Sequence, residues 1–140
     1  MENSNNHKNQ IAKIAQKFGL SLVVQFGSSL DKNKFEHSES DIDIVFLPKD
    51  RDFTLKQLID LQYDLAVIFG VFEDKIDLVN LASCNSLIAY HAANKGKVLF
   101  DSDGHQFNRF YIRAIRQKID EQDIFELKRQ LINSKVRSYV

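Results

Sequence analysis

Cysteine, proline and net charge are all scarce in this chain. One cysteine, Cys84, among 140 residues excludes an intramolecular disulfide and points to a reducing compartment such as the cytoplasm. The only proline is Pro48, so most element boundaries must be set by other residues. Nineteen Lys and Arg balance nineteen Asp and Glu, for a formal net charge of +0. Such a molecule has no long-range pull toward nucleic acid or an anionic membrane, and any attraction to phosphate must come from a local site. No apolar run reaches the roughly 18–20 residues of a membrane span. The opening MENSNNHKNQ is polar and lacks an apolar signal core. Neither membrane association nor direct nucleic-acid binding is expected. His7, His37, His91 and His105 show no zinc-ligand spacing.

What is present suits a compact domain with a real core: 44% hydrophobic and 27% charged residues. Ile11, Ile14, Ala15 and Phe18 recur at helical spacing before Gly19. LSLVVQF (20–26) and DIDIVFL (41–47) read as buried strands. Between them Gly27 to Ser40 is polar and irregular, with a possible short helix at Ser28–Leu30. Thr54 is positioned to cap a helix running to Phe69, with an apolar face from Leu55 to Ile68 and a stop at Gly70. KIDLVNL (75–81) is a third strand, Ser83–Asn94 a helix stopped by Gly96, and KVLF (97–100) a fourth strand. From Gln106 to Val136 the pattern is helical, with a break near Asp120–Asp123. The expected fold class is α/β (α+β): a small mixed sheet of about four strands, helices mainly on one face, and a long C-terminal helix. Residues 1–10 are expected to be a flexible N-terminus and residues 11–140 a single domain.

The unusual feature is where the acids fall. Residues i and i+2 of a strand share a face about 7 Å apart, so Asp41 and Asp43 project together while Ile42 and Ile44 point into the core. Asp77 repeats the arrangement between Ile76 and Leu78. Clustered carboxylates repel, and each raises the pKa of the other. A divalent cation relieves that conflict, and Mg²⁺ prefers carboxylate oxygen together with water and substrate phosphate. If the third strand lies beside the second, the three acids could hold two metal ions about 3.5–4 Å apart, an arrangement suited to in-line displacement at phosphorus. A D-x-D at a strand start is, alone, more often a cap or a solvated charge. Asp77 and the upstream Gly27-Ser28-Ser29 shift the balance. Gly27 directly follows a buried strand, where glycine permits positive φ and a close backbone approach to a ligand. The following N–H groups and the hydroxyls of Ser28 and Ser29 suit a phosphate.

Other candidates carry less. Lys95 and Lys97 flank Gly96 and are more often simply solvated. Arg109, Arg113 and Arg116 recur at helical spacing, where a solvated basic face is the default and an acidic partner patch or RNA phosphate the alternative. Cys84 has no catalytic context.

The order strand, Gly27-Ser28, loop, Asp41-Ile42-Asp43, helix, strand with Asp77 resembles the DNA polymerase beta-type nucleotidyltransferase superfamily. Small size and the segment NKGKVLFDSD resemble its minimal nucleotidyltransferases, the MNT proteins, over roughly Ile11 to Asp103. The resemblance implies that Gly27, Ser28 and Ser29 bind the nucleotide. It implies that Asp41, Asp43 and Asp77 are both catalytic and metal-binding, with two Mg²⁺ ions and ATP as substrate. It further implies AMP transfer to a tyrosine of a HEPN-domain ribonuclease toxin, which silences the toxin and makes the protein its antitoxin, oligomeric with that partner. The chain departs from the family after Gly-Ser, where SSLDKNK offers Lys32 and Lys34 but no Arg. Two other functions stay open: neutralisation by complex formation alone, and nucleotidyl transfer to a small molecule or an RNA end.

Overall fold

The computed structural model describes residues 2–27 and 41–138. The elements follow in the order α1 (Glu2–Phe18), β1 (Leu20–Phe26), β2 (Ile42–Pro48), α2 (Leu55–Phe69), β3 (Ile76–Asn80), α3 (Ser86–Lys95), β4 (Lys97–Asp101) and α4 (Gln106–Ser138), with one 3₁₀ turn at Glu73–Lys75 before β3. The strands form one mixed sheet in the order β3-β2-β1-β4. β1 pairs antiparallel with β2 and β4, and β2 pairs parallel with β3.

The four-stranded sheet and the long last helix match the sequence expectation; the placement of helices differs. They divide between both faces instead of gathering mainly on one. Ala15 of α1 and Leu61, Leu65 and Ala66 of α2 pack on Val23, Ile42, Ile44, Phe46 and Ile76. On the opposite face, Ala89, Ala92 and Ala93 of α3 and Phe110 and Ala114 of α4 pack on Leu22, Val24 and Val45. The central strands are apolar on both sides, so either face left open would expose a sizeable hydrophobic surface. An irregularity between Leu20 and Leu22 resets the alternation, which puts Leu20 and Leu22 in different clusters.

Boundaries follow local chemistry. Thr54 caps α2 by accepting from the Gln57 N–H at 3.2 Å, while Gln57 Oε1 accepts from the Thr54 N–H at 2.9 Å. Gly70 ends the helix at φ 66. α3 begins at Ser86, three residues later than the expected Ser83, because Asn85 is the cap and accepts from the Ile88 N–H at 2.9 Å. Asp101 caps α4: its Oδ1 accepts from the N–H of Gly104 and Gln106, and its Oδ2 from that of Phe107, at 3.0 to 3.1 Å. α4 continues through Asp120–Asp123 without the expected break, since that stretch holds no proline or glycine to interrupt it. α1 includes residues 2–10, which the sequence set apart as a flexible terminus; residues 5–10 are exposed within it. Among the described residues no helix is long and apolar enough to cross a membrane.

Candidate functional site

Strand register brings the site together. β1 ends where β2 begins, with Phe26 opposite Asp43. Asp43 in turn lies opposite Asp77 in the parallel β2–β3 pair. Ile42, Ile44 and Ile76 occupy the α1–α2 face, so alternation puts Asp43 and Asp77 on the other face, and Asp41, one residue before β2, on that side as well. Asp41 and Asp77 are exposed and Asp43 is half-buried.

The electrostatics reflect that crowding. Burial, then the charges of Asp77 and Asp41, hold the Asp43 carboxyl above its ordinary value, and the Asp77 side chain lies within hydrogen-bonding reach of it. Two carboxylates held this close repel, and a positive charge between them would relieve the repulsion. Gly27 closes the site from β1. Its φ is 85, and a Cβ there would collide with Asp43 Oδ2. The backbone conformation itself calls for glycine here, and a methyl would in addition push the Asp43 carboxylate aside.

One residue that fixes this geometry carried no signal in the sequence. The Gln62 side-chain amide on α2 donates to the Glu73 carbonyl at 2.8 Å and the Ile76 carbonyl at 3.0 Å. It thereby holds the turn that delivers Asp77. A glutamine on the flank of an amphipathic helix looks like any solvated residue until the turn it anchors is seen.

An all-carboxylate oxygen set on one edge fits a hard divalent cation in chemistry. Among the described residues, no three His, Cys, Asp or Glu side chains are drawn together closely enough to hold an ion by themselves. Mg²⁺ ordinarily takes one or two protein carboxylates and completes its shell with water and substrate phosphate. Ser28, Ser29, Lys32 and Lys34, and the short helix expected at Ser28–Leu30, lie outside the described residues. Lys97 lies opposite Gln25 and alternates with Val98, which packs on the α3–α4 side; its side chain leaves on the far face from the carboxylates. Burial pushes the Cys84 thiol up, which disfavours the reactive thiolate.

Residues 9–105 match the family model described as "Polymerase beta, Nucleotidyltransferase". Protein adenylyltransferase MntA of Aphanizomenon flos-aquae is 28% identical over 119 residues, covering 82% of this chain and 79% of the relative. Among solved structures, a toxin–antitoxin with AMP-PNP aligns at TM-score 0.64 and 25% identity, over 92% of this chain and 97% of the other. A tri-AMPylated Shewanella oneidensis HEPN toxin in complex with its MNT antitoxin aligns at TM-score 0.62 and 24% identity, over 95% and 98%; at that identity it speaks for the fold alone.

Proposed function

The chain belongs to the polymerase beta nucleotidyltransferase family, and on that premise we propose that it transfers AMP from ATP to a tyrosine of a cognate HEPN-domain toxin, acting as its antitoxin in the cytoplasm. The observation that carries the reading is the parallel register that sets Asp77 directly beside Asp43, with Gly27 against the Asp43 carboxylate. The similarity to an adenylyltransferase and to a complex with AMP-PNP supports the donor nucleotide and the protein acceptor.

Asp41, Asp43 and Asp77 would hold Mg²⁺, which supplies charge neutralisation at the phosphates. Gly27, with Ser28 and Ser29, would receive the triphosphate through backbone N–H groups and hydroxyls. The tyrosine oxygen attacks the α-phosphorus of ATP, a new P–O bond forms, and the bond to the β-phosphate oxygen breaks. Pyrophosphate leaves with the electron pair. Asp77, exposed on the edge strand, would accept the phenolic proton as the bond forms. Most of the acceleration comes from holding nucleophile and phosphate in line and balancing the developing charge. Residues 11–140 would work as one nucleotidyltransferase unit.

The test is transfer of label from α-³²P ATP, with Mg²⁺ and the purified partner. The expected result is labelling of a toxin tyrosine, lost in the double variant Asp41→Asn/Asp43→Asn and on chelation with EDTA. Undiminished labelling by the double variant sinks the mechanism. Toxin protection that persists when labelling is lost identifies neutralisation by binding instead.

A further inference from the structure

The helix α4 is 33 residues long, yet only one face of its first half is covered, through Phe107, Phe110 and Ala114 and the contacts of Lys118 and Glu121 with α3. The face turned away from the sheet is open. Ile112, Ile119, Ile124, Leu127 and Leu131 are each 51% to 58% exposed. At about 100° per residue these five fall with Arg113, Arg116, Asp120 and Asp123 inside one sector of about 140°. A shallow groove of about 680 Å³ lies there, with Arg109, Arg113 and Arg116 toward one end and Asp120 and Glu121 toward the other.

Charge on this face is separated by sign along the axis, cations first and acids after. Among the described residues Arg113, Arg116, Asp120 and Asp123 take part in no ion pair; Arg109 reaches Asp103 at 3.4 Å. Arg113 and Asp123 stand ten residues apart, about 15 Å along one helix, so they cannot meet within a chain. A second helix running the opposite way removes that distance. With a two-fold axis at the level of Lys118, the arginines of each copy lie along the acids of the other: Arg113 faces Asp120 of the second copy and Arg116 faces Asp123, each about one turn of helix or less apart. The stem of Arg109 falls opposite Leu127, Ile112 and Ile124 come level at the two edges of the stripe, and the set repeats reciprocally.

We propose that this outward face of α4 pairs antiparallel with the same face of a second copy, making a homodimer. A two-fold interface must be complementary to itself when reversed, and a basic half followed by an acidic half along one apolar stripe meets that condition. A partner of single charge sign fits less well. RNA phosphate would be held by the arginines and repelled by Asp120 and Asp123, and an acidic peptide likewise. The contact would run from residue 109 to residue 127, about 27 Å of helix. It leaves the carboxylate site untouched and does not depend on the function proposed above.

Sedimentation equilibrium of the full chain alone tests this. The wild type is expected to be dimeric at about 0.1 M salt, and about tenfold weaker as salt approaches about 1 M and the Debye length falls to about 3 Å. Arg113→Glu/Arg116→Glu is expected to be monomeric, and so is Asp120→Lys/Asp123→Lys, each with wild-type helix content by circular dichroism. Mixed in equal amounts, the two variants should form a dimer again, because each then presents the charges the other needs. A wild type that stays monomeric at tens of micromolar overturns the proposal, even if its arginines prove to bind the toxin or RNA. So does dimerisation of either charge variant alone, or a mixture that stays monomeric.

Discussion

A single methyl group is enough to disturb this site. Gly27 has a left-handed φ, and Asp43 Oδ2 occupies the volume a Cβ would need. Gly27→Ala is therefore expected to destabilise the protein by about 1–2 kcal/mol from backbone strain, and to move Asp43 as well. Urea unfolding reads the first effect and AMP transfer the second; an alanine variant with native stability would remove the steric account. Asp43 makes a prediction of opposite sign. Its carboxyl titrates above the ordinary value, first through burial and then through Asp77 and Asp41. A raised acid in the folded state means that folding favours the protonated form. That stabilisation is fully present below the unfolded Asp value of about 3.9 and is lost as pH rises through the folded value. Without metal, Asp43→Asn should melt several degrees higher than the wild type at neutral pH, even though it is expected to abolish transfer. The gap should close in acid below the unfolded value. Scanning calorimetry across pH decides it, and a gap independent of pH would rule out the charge explanation.

Elements are positioned by side chains that close backbone ends. Gln62 ties α2 to the turn before β3, and its Ile76 acceptor belongs to a buried residue. Gln62→Leu leaves both carbonyls short of a donor and is expected to cost about 1–3 kcal/mol. Activity should fall further than this loss alone explains, because Asp77 is the residue after Ile76. Unchanged activity would separate the anchor from the site. Asp101 does the corresponding work for α4. Asp101→Ala strips the acceptor from four backbone N–H groups, those of Asp103, Gly104, Gln106 and Phe107, and is expected to cost about 1–2 kcal/mol in denaturant unfolding. Part of this was legible in the sequence. Thr54 announced a helix start because a hydroxyl before an apolar periodic run has a well-defined acceptor role. Asn85 was missed because Ser83, two residues upstream, offers the same chemistry and only the three-dimensional path of the turn selects between them. The absent break in α4 has a similar cause: acidic clusters look like punctuation, but aspartate without glycine or proline does not stop a helix that is already propagating.

At the scale of the whole molecule, the core and the outer half of α4 are separate matters. Every residue from 121 to 135 is exposed, and the α3–α4 clamp is made by Glu121 Oε2, which accepts from Ser86 Oγ at 2.6 Å, and by Lys118 over the Tyr90 ring at 5.5 Å. A chain stopped after Gln122 keeps both contacts. At concentrations where the protein is monomeric, its unfolding free energy should stay within about 1 kcal/mol of the full chain, while the far-UV helix signal drops. A large loss of stability would mean that the outer half of α4 packs on the domain after all.

The sequence alone settled which residues alternate, which are apolar and which acids stand out of place, because periodicity and burial preference are local properties of the chain. That was sufficient for four strands, most helix spans and the pairing of Asp41 with Asp43 on one face. It could not set β3 beside β2 rather than at the other edge, nor decide that helices cover both faces. Strand order and layer closure depend on contacts between segments tens of residues apart, which no local pattern encodes. The meeting of Asp77 with Asp43, and the glycine that must yield to both, are consequences of that tertiary register.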